Sequence, residues 1–232
     1  MSMATNHRTW ALAGVAAVWG YNLSYGLITE ARAVSTSVRS FVCNNYAPGH
    51  PTRVTLQVTP DAGTQVWAAE ESPPADFAVS NISDGGTFDT VNRKVKWWFL
   101  DGTPRALSYD VTPPPGASGV RSFSGKASFD GTNVTTTGVS SLSPDITPPS
   151  ITCPPDPAPI AAGANCQAQV PNLVSGATAT DNCDSSVAIA QNPVAGTLVG
   201  LGSTVVTLIA TDDAGNTNTC TVTAVSYTHL TL

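Results

Sequence analysis

The stretch that decides the fold runs from Asp145 to Val225. It reads DITPPSITCP (145–154), NCQAQVP (165–171), ATDNC (179–183) and GSTVVTLIATDDAGNTNTCTVT (202–223). Val206, Leu208 and Ala210 alternate with Thr207 and Ile209, as in a central strand. Asp213-Ala214-Gly215-Asn216 then reads as a hairpin turn, with Gly215 supplying a positive φ. Thr217 to Ala224 is expected to pair back as the last strand. Four of the five cysteines, Cys153, Cys166, Cys183 and Cys220, fall in this stretch. A module of roughly 80 residues with few large apolar side chains has a thin core, and covalent staples would offset that.

Upstream, Ser140 to Pro149 (SSLSPDITPP) is a Ser/Pro-rich junction. Prolines favour an extended, semi-rigid connection, which sets a domain boundary with a linker at 143–150. Residues 34–142 show the same period-two habit. Val54, Leu56 and Val58 alternate with Thr and Gln in TRVTLQVTP. STSVRSFV, TQVWAAEE, FAVSNI, KVKWWFL, RALSYDVTP and SFSGKASF are further strands. Turn signals at Pro48-Gly49, Pro60 to Gly63, Pro73-Pro74, Asp84 to Gly86, Asp101-Gly102 and Pro113 to Gly116 separate them. About seven short strands at this spacing indicate an immunoglobulin-like sandwich. No window holds a helical pattern free of Pro and Gly. The expected fold class is all-β, with two tandem immunoglobulin/fibronectin III-like β-sandwiches at 34–142 and 151–225.

The first 33 residues read as a signal peptide. Arg8 supplies a positive start, and Trp10 to Gly20 (WALAGVAAVWG) is an apolar run too short to span a bilayer. Ala31-Arg32-Ala33 is an A-x-A-like cleavage site, and the mature chain is expected to carry no membrane span. Secretion makes disulfides chemically reasonable.

Composition narrows the function. Charged residues are 11% of the chain, the formal net charge is -6, and basic residues are scattered singly, so a nucleic-acid footprint is absent. Of three histidines, His7 is in the leader and His229 in a tail that breaks the pattern, which leaves His50. Cys-His or Ser-His catalysis and a multi-imidazole zinc site therefore lack their parts. The cysteine spacings of 13, 17 and 37 residues contain no paired zinc knuckle. Glu70 and Glu71 are neighbours on a strand and face apart, so they cannot flank one glycosidic bond. No catalytic residue is assigned, and the chain is expected not to be an enzyme.

Asp145, Pro148-Pro149, Ile151 to Pro154, Cys166, Val170-Pro171, Ala179 to Cys183, Gly202, Ala210 to Asn216 and Cys220 together resemble the hyalin repeat, or HYR domain. That resemblance covers essentially the whole 145–225 stretch. It implies an extracellular sandwich related to fibronectin type III folds, associated with adhesion and often repeated beside other modules. Residues 34–142 resemble an Ig-like, repeat-type β-sandwich of secreted multidomain bacterial proteins, through VTLQVTPDAGTQVWAAEESPPADFAVSNISDGGTFD, KVKW and TPRALSYDVTPPPGASGVRSFSGKASFDG. No catalytic residues carry over. Residues 226–232 (SYTHLTL) resemble translated adapter sequence, in which case further domains of the same polypeptide are expected downstream; read the other way, they are a native strand end with a short polar tail. The sequons Asn22, Asn81 and Asn133 matter only in a eukaryotic secretory route.

Three site expectations follow. Four cysteines allow three pairings, and the sandwich topology favours Cys153–Cys183 and Cys166–Cys220, with Cys43 left as a buried or idle thiol or, in an oxidising compartment, a half-cystine for intermolecular pairing. Asp145, Asp181, Asp212, Asp213 and Asn216 share one end of the second sandwich. Read one way they offer oxygens to a calcium ion, and read the other they make local turn bonds. Of Trp97 and Trp98, one is expected in the core and one outside, where it packs under a loop or stacks on a sugar ring. The functional expectation is a secreted or cell-surface structural and adhesive fragment with a protein or glycan ligand. The alternative is a set of glycan-binding or spacer modules from a truncated secreted hydrolase.

Overall fold

The structure, a computed structural model, describes residues 34–228. The leader expected at 1–33 and residues 229–232 of the tail lie outside the described residues. The described part falls in one compact unit and carries two β lobes.

The first lobe holds thirteen strands: β1 (Thr36–Phe41), β2 (Asn45–Tyr46), β3 (Thr52–Thr59), β4 (Trp67–Ser72), β5 (Ala78–Ser80), β6 (Thr87–Asp89), β7 (Lys94–Phe99), β8 (Arg105–Thr112), β9 (Arg121–Ser122), β10 (Ser124–Phe129), β11 (Thr132–Thr135), β12 (Thr137–Gly138) and β13 (Ser141–Pro144). Two five-stranded sheets, ordered β12-β1-β3-β8-β5 and β11-β10-β4-β7-β6, form the sandwich, and a small sheet β2-β13-β9 joins it. The alternation in β3 works as its pattern requires: Val54, Leu56 and Val58 are fully buried. They share one core with Trp67, Trp97, Leu107, Tyr109 and Val111.

That core also contains an ion pair. Arg39 of β1 and Glu71 of β4 come from opposite sheets, and both side chains are essentially inaccessible. Arg39 Nε and Nη2 donate to the two Glu71 carboxylate oxygens at 2.5 and 2.9 Å. Arg39 Nη1 donates to Val139 O at 3.1 Å, and Tyr109 Oη donates to Glu71 Oε2 at 3.3 Å. Burial pushes the Glu71 carboxyl above its ordinary value, against the pull of Arg39. Gly125, paired with Glu71 across β10 and β4, leaves the room this needs, because a Cβ there would lie on the Glu71 carboxylate.

The second lobe holds β14 (Ser150–Thr152), β15 (Ile160–Ala161), β16 (Ala168–Gln169), β17 (Thr178–Thr180), β18 (Ala188–Asn192), β19 (Leu198–Val199), β20 (Gly202–Thr211) and β21 (Thr217–Tyr227). A four-stranded sheet β15-β21-β20-β18 faces two short pairs, β14-β17 and β16-β19. The β20–β21 hairpin turns at Gly215, whose φ is 87°. The one helical segment among the described residues is a 3-10 turn at Val174–Gly176. The core is small: Val170, Leu173, Val206, Leu208, Val222 and Ala224, with Cys153 and Cys220 packed against it.

Two boundaries differ from expectation. Residues 143 and 144, expected in the linker, are strand and pair with Asn45 and Tyr46. Ser226 and Tyr227, expected in the tail, continue β21 and pair with Ile160 and Ala161. Ser226 is buried and its hydroxyl donates to Gly200 O at 2.6 Å.

Removing one member of the buried pair leaves the other charge uncompensated, whereas removing both does not. Glu71→Ala is expected to cost about 3–5 kcal/mol in urea unfolding. The double variant Arg39→Met/Glu71→Met is expected to cost less than Glu71→Ala alone.

Candidate functional site

The chain enters the second lobe through β13, and the joint is hydrogen-bonded from both sides. Asn45 Nδ2 donates to Ser143 Oγ at 3.0 Å and Pro144 O at 3.3 Å. Asp145 N donates to Tyr46 O at 2.9 Å. From the second lobe, Asn216 Nδ2 reaches Asp145 O at 3.2 Å and Asn218 Nδ2 reaches Pro149 O at 3.0 Å. His50 Nδ1 lies 3.2 Å from Asp213 Oδ2.

A disulfide closes this joint. Cys43 bonds to Cys183, 140 residues away, with Cα atoms 5.2 Å apart. Cys153 bonds to Cys220 inside the second lobe, and Cys166 is free and exposed. The expected pairs Cys153–Cys183 and Cys166–Cys220 are therefore corrected. The register of β14 on β17 gives the reason. Ser150 sits opposite Thr180 and Thr152 opposite Thr178, so Cys153 leaves this pair at one end and Cys183 at the other. Cys153 meets β21 instead, where Cys220 points inward with Val222 and Ala224. Cys43 is the half-cystine the sequence reading left idle. Its position after the first strand offered no signal, because its partner lies in the other lobe.

Carboxylates gather beside the cross-lobe disulfide. Asp145 and Asp212 are buried. Two groupings place ligand atoms within 4.8 Å of one another: Asp145, Asp181 and Cys183, and Asp181, Asp184 and Asp212. The Cys183 sulfur is taken by its disulfide. Of the residues named from the sequence, Asp181 thus lies beside Asp145 in one grouping and beside Asp212 in the other, where Asp184 joins them. Asp213 turns to His50, and the Asn216 side chain donates to Asp212 Oδ2 at 2.8 Å.

Many of these oxygens make turn bonds. Asp145 Oδ1 accepts from Thr147 N, and Asp212 Oδ1 from Asn216 N. Asp181 Oδ2 accepts from Cys183 N and Asp184 N. Asp181 Oδ1 is different: it is buried and has no hydrogen-bond partner among the described residues. Burial, with the neighbouring carboxylates of Asp213, Asp181 and Asp212, raises the Asp184 carboxyl above its ordinary value, against the bond from Asp213 N. The oxygens of Asp145, Asp181, Asp184 and Asp212 are the ones that could hold a hard divalent cation.

The two tryptophans separate as strand alternation requires. Trp97 is 2% exposed and donates from Nε1 to Ser83 O at 2.9 Å. Trp98 is 71% exposed on the outer face of its sheet. Glu70 and Glu71 separate likewise: Glu70 faces outward to Lys94 at 2.7 Å, and Glu71 faces the core.

Residues 144–226 match the HYR domain family, in agreement with the resemblance carried by the motifs. No curated protein matches the chain. Solved structures with a similar arrangement include the sixth cohesin of Acetivibrio cellulolyticus scaffoldin B, at 11% identity and TM-score 0.38, covering 49% of this chain and 100% of that one. The human F-spondin reeler domain aligns at 15% identity and TM-score 0.33, covering 49% and 92%. An uncharacterized Nocardia farcinica protein with an immunoglobulin-like fold aligns at 16% identity and TM-score 0.31, covering 42% and 82%. Likeness at this level carries no functional inference. Among the described residues no helix is long and apolar enough to cross a membrane.

A carboxyl whose folded pKa is raised loses stabilisation as pH rises from its unfolded toward its folded value. Asp184→Asn keeps an acceptor for Asp213 N and removes one charge from the cluster. In EDTA at pH 7 this variant is expected to melt above the parent chain, and the gap is expected to shrink as the pH falls through the carboxylate range.

Proposed function

We propose that the chain is a non-catalytic extracellular spacer and interaction unit, secreted or held at a cell surface, in which the two sandwiches act as one stiff element. The observation that carries this reading is the Cys43–Cys183 bond between the lobes. Prolines alone make a semi-rigid tether; a covalent bond beside a hydrogen-bonded strand removes the swing that such a tether leaves. In the chain-entropy model a loop of this length contributes about 5 kcal/mol. Disulfides persist in oxidising compartments, which fits an extracellular setting. The HYR domain at 144–226 supports an adhesive or protein-interaction role.

Calcium is part of this proposal. The Asp181 carboxylate lies within 4.8 Å of Asp145 in one grouping and of Asp184 and Asp212 in the other, and its buried Oδ1 lacks a partner among the described residues. A divalent cation would supply that partner and relieve the crowding of like charges. It would also add a second, ionic lock beside the covalent one. A ligand that binds the native state raises the melting temperature.

Small-angle scattering and thermal unfolding of the oxidised chain test the reading. The scattering is expected to fit one rigid particle. Millimolar calcium is expected to raise the melting temperature, and Asp181→Asn to remove that increment. Scattering that only an ensemble of lobe orientations can fit would defeat the spacer reading. A melting temperature indifferent to calcium would defeat the cation.

A further inference from the structure

The outer face of the β11-β10-β4-β7-β6 sheet presents an arrangement that the joint does not use. Cross-strand register places Trp98 opposite Ala68, Ala68 opposite Ser128, and Ser128 opposite Asn133. At the usual strand spacing of about 4.8 Å this row is ~14 Å long. The next row runs Thr87, Lys96, Glu70, Lys126 and Thr135. All of these residues except Thr87 and Thr135 line an open cleft of about 330 Å³, at the small end of the range for ligand clefts.

Each part of the row has free capacity. Trp98 is 71% exposed, and its ring stacks on no other ring or cation of the described residues, unlike Trp67 and Trp97. Ala68 is too small to cover the indole, so the aromatic face stays open beside it. The Trp98 indole N–H, the Ser128 hydroxyl and the Asn133 amide have no hydrogen-bond partner among the described residues. A flat apolar platform followed by unspent donors and acceptors in one line matches the two-sided chemistry of a pyranose ring, with its C–H face and its rim of hydroxyls.

The charges select among sugars. Lys96 is paired with Asp89 at 2.7 Å, and Lys94 with Glu70 at 2.7 Å. Lys126 shares that same Glu70 at 3.3 Å and is half exposed. Three ammonium groups thus stand against two carboxylates, a local positive surplus on a chain whose net charge is -6. We propose that this face binds a uronate-containing polysaccharide, with one pyranose ring stacked on Trp98, hydroxyls on Ser128 and Asn133, and a sugar carboxylate drawn to Lys126. This inference stands independently of the spacer reading, since it uses none of the joint's residues.

Affinity electrophoresis of the full oxidised chain tests it, in gels containing polygalacturonate, alginate or neutral hydroxyethylcellulose. Retardation is expected with at least one uronate polymer and not with the neutral one. Trp98→Ala is expected to weaken it at least tenfold, and Lys126→Gln to weaken it several-fold, both with the parent's melting temperature because neither side chain is buried. Equal retardation by the neutral polymer would overturn the proposal, as would no retardation in any gel. Uronate binding that survives Trp98→Ala would mark general ion exchange and overturn it too. Self-association abolished by Trp98→Ala, without retardation, would assign the face to a second copy of the chain instead.

Discussion

The bond between Cys43 and Cys183 is the constraint on which the two-lobe arrangement depends. What it removes is the freedom of one lobe to turn relative to the other, at a point where β13 has already been stitched to β2 and β9. The covalent bond, the backbone bond from Asp145 to Tyr46 and the Asn216 and Asn218 amides converge on the same few residues. A junction held this way transmits orientation. It also sets Asp145, at the end of β13, beside Asp181 of the second lobe.

The lobes solve the problem of a small core differently. The first has enough aromatic and aliphatic volume to bury a whole Arg–Glu pair between its sheets, with Gly125 shaped around it. Such a pair is weak evidence for stability by itself, since desolvation offsets most of its attraction. It does fix which residues of β1 and β4 face each other. The second lobe has about a third as many core side chains and draws on the Cys153–Cys220 bond, whose half-cystines pack as apolar residues against Val222 and Ala224.

Much of this was legible in the residues. Alternation in TRVTLQVTP and around Val206 located the central strands, and the turn signals located most of their ends. Adjacent Trp97 and Trp98 had to face apart, and they do. The acidic cluster was legible in part, because turn-forming Asp residues recur at the loops that share one end of the sandwich. Asp184 was missed, since a single Asp in a loop carries no pattern. The disulfide pairing failed for a definite reason. The four cysteines of the second lobe look like a closed set, and nothing local marks Cys43 as the partner of a residue 140 positions away. The buried Arg39–Glu71 pair was equally hidden, because period two says that Glu70 and Glu71 face apart without saying which one is buried or what meets it.

Peptide mapping of the protein digested without reduction distinguishes a locked joint from an unlinked one. One cross-linked peptide is expected to contain Cys43 and Cys183, another Cys153 and Cys220, with Cys166 alkylated in the native protein. A Cys153–Cys183 or Cys166–Cys220 peptide, with Cys43 alkylated as a free thiol, would contradict the locked joint.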